Sequence, residues 1–317
     1  MGERVFTLPL VAISIFIAVT AYGASQVERG YDGSGGPNAF FALAAIVWTI
    51  AIVTRKFEPS SRLAAAVETL ALFFAMSVLA AFSSAALAIG GGDFIDVQLL
   101  AIDAAMVPLF DWQALVLWLP SHPRIYYALS LVYDSLNWQP FALILVAGVF
   151  GTVHDQGRFI GAWAVALALC ILPFHWLPAL SPYNYFAISP EDMAGVSVSM
   201  PWDFLPIMQG LRDGSIQELS IDTVSGMVTI PSFHAAASVV LAGSFWRFRL
   251  LRWPMLVLNG GMALAAIPIG SHYVVDILAG AACGALALAV SSAWMSRGAR
   301  APVERERAIS PVPAIAR

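Results

Sequence analysis

The chain has 317 residues, 59% of them hydrophobic and only 11% charged, with a formal net charge of −4. Soluble domains carry about a quarter charged residues, so this composition excludes an ordinary soluble fold and points to an all-α, polytopic membrane protein. The net charge itself says little about partners, and no nucleic-acid partner is expected.

Crossing the hydrocarbon takes about 20 apolar residues per helix, and eight stretches read as spans. In chain order they are Val5–Ala24, Ala39–Val53, Leu63–Ile89, Ile125–Phe150, Phe159–Trp176, Met227–Trp246, Pro254–Ile269 and His272–Trp294. The first ends in small residues, Ala21 to Ala24, but its apolar run exceeds the roughly 7–15 residues of a signal peptide. An uncleaved helix is therefore expected there. Residues 1–62 are expected to hold two leading helices. Residues 63–296 would form a six-helix bundle with outer interfacial segments at 91–124 and 177–230, and 297–317 a disordered cytoplasmic tail. The two cysteines, Cys170 and Cys283, fall inside apolar runs and read as small core residues.

Basic residues orient the array, because cytoplasmic loops are enriched in them. With a cytoplasmic N-terminus, the inner segments hold Arg4, Arg55, Lys56, Arg62, Arg158, Arg247, Arg249, Arg252 and the tail arginines 297, 300, 305, 307 and 317. The outer segments hold only Arg29, Arg124 and Arg212 of the 16 Lys and Arg. This bias places residues 231–234 and 272–276 together at the outer face.

Two outer segments are long. Between Phe94 and Pro120, Asp96, Asp103 and Asp111 fall seven and eight residues apart, near one helical stripe, with Leu99, Leu100, Met106, Leu109 and Trp112 around them. The expected arrangement is an amphipathic helix pair in the membrane interface, with the acids as its solvated face. Between Leu180 and Ile230, Pro182, Pro190, Pro201 and Pro206 are expected to interrupt any long helix. Trp202, Phe204, Leu205, Ile207 and Met208 there are expected to dip into the interface, and Arg212 is the loop's one basic residue. Asp134 lies in an apolar span beside Asn137, Gln139 and Pro140, a cluster expected to kink the helix and to play a structural role.

The chemistry concentrates in Pro231-Ser232-Phe233-His234 and His272-Tyr273-Val274-Val275-Asp276. On a helix, His272 and Asp276 are one turn apart on one face. The carboxylate can accept a hydrogen bond from one ring nitrogen and leave the other as a nucleophile. His234, at the mouth of another apolar helix, is placed to act as a general acid. A buried ionisable residue in a span costs about 3 kcal/mol or more, which favours a functional reading over a merely structural pair. No third His, Cys or Glu recurs with metal-ligand spacing, and no Gly-rich phosphate loop occurs, so neither metal nor cofactor is expected. A transporter using His272 and Asp276 as a proton relay is the alternative of another class. His122, His154 and His175 read as interfacial or core residues.

The Pro-Ser-x-His and His-x-x-x-Asp pair, with its flanks Gly226–Ala236 and Gly270–Gly280, resembles the last two motifs of the type-2 phosphatidic acid phosphatase superfamily. Both flanks look like the bacterial branch related to inositol phosphorylceramide synthases. The resemblance implies metal-free phosphoryl transfer at the outer, periplasmic face of a bacterial inner membrane. His272 would attack phosphorus, Asp276 would fix its tautomer, and His234 would protonate the leaving oxygen. Ser232 and the amides at its helix start would hold phosphate oxygens. The substrate would be a lipid phosphate or phospholipid, and the acceptor water or a lipid hydroxyl.

Two departures stand out. Where the phosphatases carry Ser-Arg before the second histidine, this chain has Ala265 and Ala266. Their Lys-x6-Arg-Pro motif is also absent, since the sole lysine is Lys56. Arg212 and Arg124 are the outer-face candidates to replace those cations. The loss favours transfer between lipids over a plain lipid phosphate phosphatase acting on phosphatidate or a polyprenyl diphosphate.

Overall fold

Long apolar runs make most of the long helices of this chain, and the last of them continues past its apolar stretch into polar sequence. The computed structural model describes residues 5–28, 30–31, scattered positions between 42 and 58, 61–196, 201–220 and 227–309. The described elements are α1 (Thr7–Ala24), β1 (Gly30–Tyr31), α2 (Arg62–Ala88), α3 (Asp96–Met106), α4 (Trp112–Trp118), α5 (Pro123–Tyr133) and α6 (Gln139–Phe150). They continue as α7 (Val153–Ile171), the one-turn α8 (Pro182–Tyr185), α9 (Pro201–Asp213), β2 (Glu218–Leu219), α10 (Phe233–Phe245), α11 (Arg252–Ala265) and α12 (Val274–Ile309). The two short strands pair in parallel, Gly30 opposite Glu218, and tie the connection after α1 to the segment after α9.

Four of these helices are long and apolar enough to cross a membrane: α1, α2, α7 with its 3-10 extension to His175, and α12 as far as Arg297. α6 and α10 are apolar but shorter. The expected span Ala39–Val53 lies in part outside the described residues, and its described positions are helical. The expected span Ile125–Phe150 is two helices, interrupted by a 3-10 turn over Asp134–Asn137. The hydroxyl of Ser135 donates back to Val132 O at 2.6 Å, and Pro140 brings no N–H to the next helix, so the ladder cannot run through. The span expected from Met227 starts as a helix only at Phe233, because Ser232 caps it. α12 does not stop at Trp294 but continues to Ile309, through the Glu304–Arg307 stretch expected to be an unstructured tail. Residues 310–317 of that tail lie outside the described residues.

α7 occupies the centre. Thr152 and Asp155 form a capping box at its start. Phe159, Ile160, Trp163 and Leu167 are buried against α2, α10 and α12. Trp163 meets Phe73 at 5.2 Å and the edge of Phe233 at 5.1 Å between ring centroids. Cys170 and Cys283 lie in this same apolar core as free thiols.

The break between α5 and α6 is secured by a buried polar chain. Gln139 Nε2 donates to Ser135 Oγ at 2.8 Å, and Asn259 Nδ2 of α11 donates to Gln139 Oε1 at 2.8 Å. Replacing Asn259 by leucine keeps the branched shape of the side chain and leaves that buried oxygen unpaired. Asn259→Leu should therefore destabilise the fold by about 1–3 kcal/mol, read as a lower thermal midpoint of the purified protein in detergent.

Candidate active site

The turn that carries His272 is built before the helix that follows it. His272 N donates to Ala266 O and Ile267 O, closing the end of α11. Ser271 then adopts φ +55°, a left-handed conformation disfavoured for a side chain. Its hydroxyl accepts from Tyr183 N at 3.2 Å, and the Tyr183 hydroxyl donates to Pro268 O at 3.2 Å. Beyond this braced corner α12 begins. In its first turn Asp276 Oδ2 accepts from Tyr273 N at 2.9 Å and faces His272 Nδ1 at 3.4 Å. Asp276 Oδ1 is buried without a partner. The carboxylate thus stands behind one ring nitrogen and leaves Nε2 for the cavity that the ring lines.

The second motif opens α10. Ser232 Oγ accepts from Ala235 N at 3.4 Å as an N-cap. Ser232 N donates to the backbone oxygen of Asp276 at 3.1 Å, which joins the two motifs directly. The approach requires bare backbone on α12. Gly280 and Gly284, one and two turns beyond Asp276, face Ser232 O and Ala236 O so closely that a Cβ would collide with either. From the first turn of α10, His234 stacks on Tyr133 of α5, with ring centroids 3.9 Å apart and planes 15° from parallel.

Both histidines line one cavity of about 480 Å³. Its walls come from α2, the α5–α6 break, α7, α9 and the loop before α10, and include Ser77, Ser84, Tyr133, Asp134 and Thr229. Among the described residues no Lys or Arg lines it, and Asp134 is its one carboxylate. Asp134, expected to play a structural role, thus also faces the cavity.

The other expected site residues lie elsewhere. Ser232 is fully buried and its hydroxyl is spent on the cap. Arg212 donates to Gly92 O at 3.0 Å and lies 4.3 Å over the Phe94 ring, bracing the start of the outer segment. Burial lowers its pKa and nearby Asp93 pulls the other way. Arg124 stands exposed in the first turn of α5. Neither arginine lines the cavity. Ala265 and Ala266, in place of basic residues, are fully buried.

The acidic stripe of α3 is not a solvated face. Asp96 and Asp103 are 3% and 7% exposed and point at the His272 turn. Asp96 accepts from the Tyr273 hydroxyl at 2.7 Å and from the amides of Leu180 and Ser181. Asp103 accepts from Val274 N and Val275 N, both at 2.8 Å. Burial raises the Asp103 carboxyl while those two amides lower it. Only Asp111 remains outside, capping α4. In the second outer segment, α9 runs through Pro206, and Phe204 and Met208 are buried in protein rather than in the interface.

Residues 97–290 match the sequence model of the PAP2 superfamily, a stretch that takes in Asp103, both histidines and Asp276. No curated protein and no solved structure matches the chain.

The glycine contact is open to test without any assay of turnover. Gly280→Val should force α10 away from α12 and lower the thermal midpoint in detergent by several degrees. Gly260→Val, at a position open on α11, should leave the midpoint near that of the parent protein.

Proposed function

The chain belongs to the PAP2 superfamily, whose model covers more than half of its 317 residues, and from that premise we propose that it is a membrane phosphotransferase. It acts on lipid phosphate or phospho-head-group substrates at the outer leaflet, in the manner of the inositol phosphorylceramide synthase branch. The observation that carries this reading is the pair of imidazoles on one cavity whose described lining has no cation. A phosphate monoester brings two negative charges, and stabilising their transfer without Lys or Arg is costly. A phosphodiester brings one, so a phospholipid suits this lining better than phosphatidate or a polyprenyl diphosphate does.

In the first step His272 Nε2 attacks phosphorus, a P–N bond forms, and the P–O bond to the leaving lipid alcohol breaks. His234 supplies the proton that the departing oxygen takes. Asp276, at Nδ1, holds the ring and balances the imidazolium. In the second step His234 takes the proton of an acceptor hydroxyl. That oxygen attacks phosphorus, the P–N bond breaks, and His272 is regenerated. Tyr133 keeps the His234 ring flat against its face and so fixes the plane in which that proton is passed.

The test offers labelled phosphatidate and a labelled phosphodiester lipid to purified protein in mixed micelles, with and without diacylglycerol or ceramide. A new phospholipid that forms only with the acceptor is expected. Free phosphate released without acceptor would make the protein a phosphatase, and silence from folded protein would return the proton-relay transporter. His272→Ala should abolish turnover. His234→Ala should lose steady-state turnover yet keep a first-step burst on a substrate with a nitrophenolate leaving group, which needs no proton. Normal activity in His272→Ala would sink the phosphohistidine mechanism.

A further inference from the structure

We infer that Asp103 and Asp96 of the outer helix α3 are positioning residues for His272, holding its turn from outside the helix that carries it. The inference rests on His272 being the nucleophile.

The first N–H groups of a helix have no partner within it. In α12 carboxylates meet that need at Tyr273, Val274 and Val275. Asp276 takes Tyr273 N, and the two oxygens of Asp103 take Val274 N and Val275 N. The Tyr273 side chain is fully buried, and its hydroxyl ends on Asp96. The backbone oxygen of His272 itself accepts from Trp112 Nε1 of α4 at 3.1 Å. Residues 272 to 275 therefore each have a polar group bonded, and every one of these bonds but that to Asp276 comes from the 96–112 segment.

A helix needs only one local cap to form, such as Ser232 provides for α10. A bidentate cap from a residue 171 positions away does more. It fixes where the helix start sits relative to a separate element, and with it the height and tilt of the adjoining imidazole. Asp96 anchors the same turn to the amides of Leu180 and Ser181, next to the Tyr183 that braces Ser271. The turn is held from two sides, and its freedom to shift along the cavity is small. A displacement of about 1 Å in a reacting group can cost roughly 100-fold in rate, which is the scale on which such a brace acts.

The test compares kcat and KM of the full-length protein in mixed micelles, with the acidic limb of the pH profile and the phosphoenzyme trapped in a single turnover. Asp103→Ala should lower kcat about 10- to 100-fold with KM within about twofold, and should slow phosphoenzyme formation equally. Asp103→Asn keeps one acceptor and should recover part of that loss. Tyr273→Phe, which removes only the hydroxyl bonded to Asp96, should lower kcat several-fold with a smaller fall in thermal midpoint than Asp103→Ala, and it stands in if Asp103→Ala does not fold. Wild-type kcat in both Asp103→Asn and Tyr273→Phe would overturn the inference, as would losses confined to KM and thermal midpoint. His272→Ala in the same series separates the two readings. If it is active, the nucleophile is wrong; if it is dead while the other variants are normal, only the positioning role fails.

Discussion

The site depends on one backbone hydrogen bond, from Ser232 N to Asp276 O at 3.1 Å, and on the glycines of α12 that permit it. That bond sets the starts of α10 and α12 side by side, so that His234 and His272 face one cavity although they are far apart in the chain. The electrostatics follow from the same arrangement. A helix start carries partial positive charge, but that of α12 is already matched by Asp103 and Asp276. α10 has no acidic residue in its first turn. Its start is the less neutralised of the two, and it lies where a lining without Lys or Arg most needs positive potential.

Buried carboxylates are tolerated only when their oxygens are satisfied, and the outer segment meets that condition with backbone donors. Asp96 and Asp103 between them accept four amide hydrogens and one hydroxyl. The result differs from an ion pair, because no basic side chain takes part and nothing is lost when salt screens the surface. Asp276 is the exception, with one oxygen bonded and the other orphaned. A group held in that way resists displacement of its bonded oxygen and keeps its charge directed at the imidazole.

Much of this was legible in the sequence. The apolar runs announce the long helices, the i, i+4 spacing announces the His272–Asp276 pair, and the polar cluster at Asp134–Pro140 announces a break. The role of α3 was not legible, and the reason is physical. An acidic stripe at helical spacing reads the same whether it faces water or faces N–H groups, and backbone donors leave no mark in the sequence that supplies them. Arg212 misleads for the opposite reason. A lone cation in an outer loop suggests a phosphate ligand, yet its partners are a carbonyl and a ring at Gly92 and Phe94. Tyr133, one aromatic among many in an apolar run, could be singled out only by the ring it stacks on.

The span of the bonds to α3 bears on how the protein is made. Val274, Val275 and Tyr273 follow their acceptors by 171, 172 and 177 residues. At roughly 5–20 residues per second, the carboxylates of Asp96 and Asp103 leave the ribosome some ten to thirty seconds before their donors exist. Until then Asp103 has neither of its backbone donors, and Asp96 has only the amides of Leu180 and Ser181. α12, which brings those donors, is therefore the element that closes this turn, and until it is in place His234 and His272 do not share a cavity.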